Sequence, residues 1–250
     1  MAFHRFYLSP ERWSEEQPAL DAADSHHGAE VLRLGMGDQV VIFDGRGNEA
    51  PAEIVEVTRK RIRLSLGITK PTAQPRCAIT LAQAVPKGKN MDLVIQKGVE
   101  LGVSAILPLL TERTVVRIED AGDALRKQER WQSIAMEACK QSGQNWMPRV
   151  APTQTLKEFL SHPPQVDLIL IASLQPAARS IKEVLAEEQV KKGGLPRSVM
   201  ILIGPEGDFT PAEMTMAHAA GALPVTLGPI ILRTETAAIY CLSVLGHELF

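Results

Sequence analysis

The chain has 250 residues, enough for one large domain or two unequal ones, with 45% hydrophobic and 22% charged residues. Its apolar runs, such as Leu168-Ile-Leu-Ile-Ala172, are strand-length and too short for a transmembrane helix, and no apolar run follows Met1 as it would in a secretory signal. The net charge of −2 excludes a uniformly basic nucleic-acid binder, yet residues 1–70, 71–150 and 151–250 carry −2, +3 and −3 respectively.

The positive middle gathers at Lys87, Lys89, Arg113, Arg117, Arg126, Lys127 and Arg130. A local basic surface attracts phosphates even on a slightly acidic molecule. Arg126, Lys127 and Arg130 read instead as a solvated helix face. Cys77, Cys139 and Cys241 match no zinc or redox spacing and read as reduced core thiols of a cytoplasmic protein. His26 and His27 are adjacent and lack a ligand cluster, so no metal is expected.

In chain order, Gln39–Phe43 is a strand and Asp44-Gly-Arg-Gly-Asn48 a turn. Ala52–Val57 and Arg61–Leu66 alternate with period two, as half-buried strands do. One short helix near His26–Leu34 interrupts them, so residues 1–70 form a small β-rich domain, a compact barrel. Lys70-Pro-Thr-Ala-Gln-Pro-Arg76 places two prolines among polar residues, and residues 71–76 read as an extended linker. Strands and helices then alternate over residues 77–250. Strands are expected at 77–85, 103–109, 166–172, 199–203 and 225–227. Helices are expected at 91–101, 125–142, 179–190, 211–220 and 235–249. That pattern predicts an α/β domain with a parallel sheet covered on both faces.

Two glycine-bearing segments carry the chemistry: Leu202-Ile-Gly-Pro-Glu-Gly-Asp208 and Leu227-Gly-Pro-Ile-Ile-Leu-Arg-Thr-Glu-Thr-Ala237. Each lies where a strand stops and a helix starts, the place where ligands meet backbone N–H groups in α/β proteins. Thr210-Pro-Ala-Glu213 is a capping box that sets the start of the first of these helices. Gly204 and Gly207 allow positive φ and close backbone approach. The glycine spacing fits neither a Walker loop nor a dinucleotide fingerprint, and a purely structural turn accounts for the first segment equally well. The second segment adds Ile230, Ile231 and Leu232 in what should be a solvent-facing connection, with Thr234 or Thr236 capping the last helix. Either an adenine ring covers those side chains or they pack into the core. Arg233 requires an anionic partner if buried, which is Glu235, Glu206 or a group on a ligand.

Taken together, these segments resemble the carboxyl-terminal signature of SPOUT methyltransferases, and more narrowly the RsmE family, which makes 3-methyluridine in small-subunit ribosomal RNA. The similarity continues upstream. His27-x-x-x-Val31-Leu-Arg33, Gly37-Asp38 and Phe43-Asp-Gly45 resemble that family's PUA-like RNA-binding barrel. Lys97-x-x-Glu100-Leu-Gly102, Pro108, Glu112-Arg113, Trp131 and Glu137-Ala138-x-x-Gln141-Ser142 agree as well. Nearly the whole chain is covered, and joint occurrence is far more specific than either glycine loop.

The resemblance implies a SPOUT-type parallel sheet over residues 77–250 with a carboxyl-terminal trefoil knot, preceded by the PUA-like barrel. It implies S-adenosylmethionine as cofactor, bound by Ile203, Gly204, Gly207, Leu227, Gly228, Ile231, Leu232, Thr236 and Ala237. It implies a homodimer paired through knot-region helices, the last, apolar helix among them, and small-subunit (16S) ribosomal RNA as substrate, in an assembled 30S particle, in the cytoplasm. Neither a membrane nor a metal enters. Arg233 is expected to stabilise the uridine anion or hold its phosphate, and Glu206 or Glu235 to accept the proton. Arg5, His27, Arg33, Lys87, Lys89 and Arg113 are the expected RNA contacts. The competing readings are a methyltransferase acting on another RNA and a non-catalytic RNA-binding or ribosome-assembly factor on the same scaffold. Two departures stand out: Asp208 replaces a usual second glycine, harmless provided φ is negative there, and Gln144 replaces an arginine, for which Arg149 is the expected substitute.

Overall fold

The computed structural model describes residues 3–58 and 61–250, in two compact units. The first comprises the described residues up to Gln74 together with Met136–Met147, and the second Pro75–Ala135 with Pro148–Phe250.

The first unit is a five-stranded sheet: β1 (Arg5–Tyr7), β2 (Gln39–Phe43), β3 (Asn48–Val57), β4 (Ile62–Leu66) and β5 (Lys70–Pro71). The path runs β1-β2-β3-β4, with β5 pairing β3. Alternate residues of β3 are buried, so Ala52 and Ile54 join Phe6, Leu8, Val40, Ile42, Ile62 and Leu64 in one core. Strand pairing does not close the barrel among the described residues. Pro18–Leu20 covers the edge of β4 instead, through Leu64 N–H to Pro18 O at 2.9 Å and Leu20 N–H to Ile62 O at 3.0 Å, which removes an open edge.

Three local expectations need correcting here. The helix expected at 26–34 is α2 (Ala22–His26), capped by Asp21 and continued as a π-helical turn over His27–Val31, and a further short helix, α1 (Pro10–Trp13), precedes it. Gly28 lies in that turn packed against the core, where a Cβ would come within 2.7 Å of Ile62 Cδ1. The stretch expected as a free linker begins as β5, because its proline-restricted extended backbone pairs with Asn48 and Glu49 of β3. Residues Met136–Met147, expected wholly in the α/β domain, cluster with the first unit. Asn145 there donates to Glu49 at 3.0 Å and Thr72 at 2.7 Å, and Trp146 Nε1 donates to the carbonyls of Thr72 and Ala73.

The second unit is an all-parallel sheet. Its strands are β6 (Ala78–Ala84), β7 (Ala105–Leu110), β8 (Arg149–Val150), β9 (Gln154–Thr155), β10 (Leu168–Ala172), β11 (Arg179–Ser180), β12 (Ser198–Ile203) and β13 (Leu223–Thr226). Its helices are α3 (Asn90–Glu100), α4 (Ala121–Ser142, whose last turns belong to the first unit), α5 (Leu156–Ser161), α6 (Ile181–Lys192), α7 (Pro211–Ala219) and α8 (Thr234–Leu249). The strand order is β11-β13-β10-β12-β6-β7-β8, with β9 on β7. Five successive residues of β12 are buried, as a strand covered on both faces requires. Ala82, Leu109, Ile171, Met200 and Leu202 form its core with Phe159, Phe209, Met214 and Ala217.

Cys77, Cys139 and Cys241 are free and buried, and burial pushes their thiols up to about 11, about 12 and about 12. They are core groups, not nucleophiles. No helix among the described residues is long and apolar enough to cross a membrane.

Candidate active site

Parallel pairing aligns the carboxyl ends of the central strands: Ala172 lies beside Val225, Ile171 beside Leu202 and Ile203 beside Gln83. From β10 the chain goes on to strands lying on opposite sides of it, β12 and β13. Open α/β sheets bind ligands above such a reversal. The loops after β10, β12 and β13 meet there around a cavity of about 270 Å³.

Ile203, Gly204, Leu227, Gly228, Ile231, Leu232 and Ala237 of the expected cofactor set line this cavity, together with Glu206 and Arg233. Gly207, Thr236 and Glu235 do not. A Cβ on Gly207 would point at Arg113 Cδ, 3.2 Å away, and Thr236 is exposed on α8. Ile230, which the sequence offered for covering by an adenine ring, lines it too, while Ala172, Ser173, Leu174, Pro205, Asp208 and Thr234, which pattern reading did not assign to the cofactor, complete the lining. The strand ending at Ala172 is legible in the sequence, but its place between β12 and β13 is not.

The first glycine turn departs from expectation in two ways. Gly204 and Gly207 do not adopt positive φ; they are glycines because neighbours approach closely. A Cβ on Gly204 would lie 3.2 Å from Asp208 Oδ1 and 3.3 Å from the Phe209 ring. The left-handed residue is Asp208, at φ +59, so the negative φ that would make the loss of glycine harmless is not what the turn adopts. Aspartate tolerates this region through a local bond, here from Phe209 N–H to Oδ1 at 2.7 Å. The capping box is present as expected: Thr210 Oγ1 accepts from Glu213 N–H, and Glu213 Oε2 accepts from Thr210 N–H at 2.8 Å. The buried Glu213 also accepts from Glu112 N–H at 2.9 Å, fastening the loop after β7 to the start of α7.

In the second loop, neither threonine caps α8. The N-cap is Arg233, without a side-chain cap bond. Thr234 is buried and its hydroxyl is used elsewhere: it donates to Gly204 O at 2.6 Å and accepts from Gln83 Nε2 at 3.0 Å. One hydroxyl therefore ties the two glycine loops to each other and to β6. Ile230 and Ile231 are 69% and 79% exposed, so core packing does not account for them. Arg233 is exposed at the cavity, with no ion pair among the described residues. Glu206 accepts from the Lys87 backbone N–H at 2.9 Å.

The expected RNA contacts fall into three groups. Lys87, Lys89 and Arg113 are exposed on the loops after β6 and β7, and Arg113 Nη1 donates to Gly207 O at 2.5 Å. His27 and Arg33 are exposed on the first unit, Arg33 at φ +56. Arg5 differs: its side chain is 14% exposed, bonded to Glu49 at 3.0 Å and Asn145 at 2.6 Å and stacked over Phe43. Its charge is consumed inside the first unit. Arg126 and Lys127 pair with Asp123, and Arg130 with Asp92, as a solvated face would. Gln144 accepts from Trp146 N–H, and Arg149 is exposed. No group of three or more potential metal ligands occurs among the described residues.

Two family models match the chain: an RNA methyltransferase PUA domain over residues 20–67 and an RNA methyltransferase domain over residues 73–246. The chain is 33% identical over 239 residues to ribosomal RNA small subunit methyltransferase E of Bacillus subtilis strain 168, covering 94% of this chain and 92% of that one. Identity to the Synechocystis protein of the same name is 32% over 243 residues, covering 96% and 76%. The crystal structure of a ribosomal RNA small subunit methyltransferase E from Neisseria gonorrhoeae, bound to S-adenosyl methionine, superposes with a TM-score of 0.86 at 32% identity over 98% of both chains. A Legionella pneumophila chain solved with bound SAM gives 0.89 at 33% identity, over 99% of this chain and 98% of that one. The barrel-like sheet, the parallel sheet with its two glycine loops and these full-length similarities place the chain in the ribosomal RNA small subunit methyltransferase E family.

Proposed function

We propose that this protein transfers a methyl group from S-adenosylmethionine to N3 of a uridine in small-subunit ribosomal RNA. The observation that carries the reading is the convergence of both glycine loops and the exposed Arg233 on one cavity. The cavity suits the donor chemically. Ile203, Leu227, Ile231 and Leu232 give apolar walls for an adenine ring, and the glycines leave backbone groups open to its edge. The Asp208 carboxylate in the lining complements a cationic ligand. The bound donor supplies an electrophilic methyl group on a positively charged sulfur.

The chain's own residues do the rest. Thr234 holds the two loops in register, so the walls are set before the RNA arrives. Arg233, which makes no ion pair among the described residues, stabilises the negative charge that develops on uridine as its N3 proton passes to solvent water, or holds the adjoining phosphate. Lys87, Lys89 and Arg113 hold the RNA backbone at the same edge of the sheet, and the first unit, taken by itself, offers His27 and Arg33 to RNA. We read the working form as a cytoplasmic homodimer acting on the 30S particle, with the half-exposed Tyr240 of α8 at the pairing surface, and the second unit as knotted, a reading with which β12 and β13 flanking β10 agree.

The test combines mass spectrometry of 16S ribosomal RNA from cells with and without the protein with calorimetry of cofactor binding. The expected result is one 3-methyluridine lost on deletion and not restored by Arg233→Ala, which still binds S-adenosylmethionine. An unchanged methylation pattern on deletion refutes the function, and full turnover by Arg233→Ala refutes the role of the guanidinium.

A further inference from the structure

We propose that Glu206 is a positioning residue for RNA capture, fastening the Lys87-Gly88-Lys89 loop to the rim of the cofactor cavity, and not the proton acceptor of the reaction. The inference rests on the methyltransferase reading above. Glu206 follows β12, is exposed, and accepts from the Lys87 backbone N–H at 2.9 Å. That bond crosses 119 positions of sequence and joins the loop after β6 to the loop after β12. The lysine loop needs such a strap: Gly88 sits at φ +64 with nothing within 4 Å of its Cβ position, and both lysines are exposed. A second bond of the same kind lies one residue on, where the Arg113 guanidinium holds Gly207 O. Three cations from two loops are thereby tied to one glycine turn. A loop that is ordered before binding loses less conformational entropy when it meets a phosphate. One carboxylate oxygen of Glu206 is already committed to this bond.

Glutamine retains an oxygen able to accept from Lys87 N–H but cannot take a proton at neutral pH, so it separates the two roles. The experiment measures KM for 30S subunits, kcat with its pH profile, and S-adenosylmethionine affinity by calorimetry for wild type, Glu206→Ala and Glu206→Gln. Loss of one exposed charge-assisted hydrogen bond should raise the KM for RNA of Glu206→Ala about fivefold to tenfold. The effect falls on KM rather than kcat, and Glu206→Gln restores the KM. The proposal is overturned if Glu206→Gln loses about a hundredfold or more in kcat along with the acid limb of the pH profile, as loss of a general base would produce. A wild-type KM in Glu206→Ala overturns it too, as does a defect confined to cofactor affinity. A wild-type protein inactive on 30S subunits counts against the methyltransferase reading instead, and RNA affinity of the three proteins then tests the strap alone.

Discussion

Replacing Thr234 by valine keeps the shape of the side chain and deletes a hydroxyl bonded in two directions. It leaves one N–H of Gln83 without an acceptor at a fully buried position and the half-buried carbonyl of Gly204 without its donor. A buried group stripped of its partner costs about 1–3 kcal/mol, so the pair should cost about 2–4 kcal/mol. For a chain of this size that is a fall in Tm of about 5–15 °C. The larger effect on function comes through the loops. Without the clasp the two glycine segments must be ordered by the cofactor itself, and its Kd should rise about tenfold, equivalent to about 1.4 kcal/mol. Calorimetric melting and cofactor titration read both quantities. Thr234→Ser should restore them. Gln83→Leu should be milder than Thr234→Val, because it removes the donor together with Gln83 Oε1, a buried acceptor that has no partner. A Thr234→Val protein that melts within 1 °C of wild type (below about 0.5 kcal/mol) and binds the cofactor unchanged refutes this account of how the loops are held.

Further consequences are equally direct. At Asp208, φ +59 is tolerable for aspartate but not for a β-branched residue, so Asp208→Val should lose about 1–3 kcal/mol in urea unfolding while Asp208→Gly stays near wild type; equal stability of the two variants contradicts the strain. Phosphate contacts release counterions, so Lys89→Ala should lower the slope of log affinity for RNA against log salt by about 1. Arg5→Ala should instead lower the stability of the first unit and leave that slope alone, since its guanidinium is engaged by Glu49 and Asn145. Donors on Asn145, and then on Arg5, hold the Glu49 carboxyl below its usual value of 4.5. A depressed native pKa means that the folded state binds fewer protons, so this contribution is present above about pH 4.5 and is lost as the pH falls through the folded value. The stability gap between wild type and Glu49→Gln should therefore be widest at neutral pH and close in acid. A gap that stays constant from neutral pH down to about pH 3 contradicts it.

Much of the local structure is legible in the residues because its causes are local. Period-two burial marks β3, spacings of three and four mark α4, and Thr210-Pro-Ala-Glu213 marks the start of α7. Legibility fails where a residue's partner is distant. The threonines at the start of α8 look like caps, but the hydroxyl of Thr234 is claimed by Gly204, 30 positions earlier. Arg5 looks like a free surface cation, yet Asn145, 140 positions later, takes its guanidinium. The proline-rich stretch after Lys70 looks like a linker because the unpaired edge of β3 is not visible in one dimension.

The order of strands and helices, the two glycine turns and the arginine that follows them are properties of the sequence by itself, since propensity, periodicity and steric freedom act over a few residues. Whether those turns face one another was decided only by the tertiary structure. The parallel register sets Ala172, Ile203 and Val225 side by side, so the Ser173-Leu174 stretch joins the cavity while Gly207 and Thr236 turn away from it. Non-local pairing is a choice among many alignments of similar local energy, and only simultaneous burial of the whole sheet selects one of them.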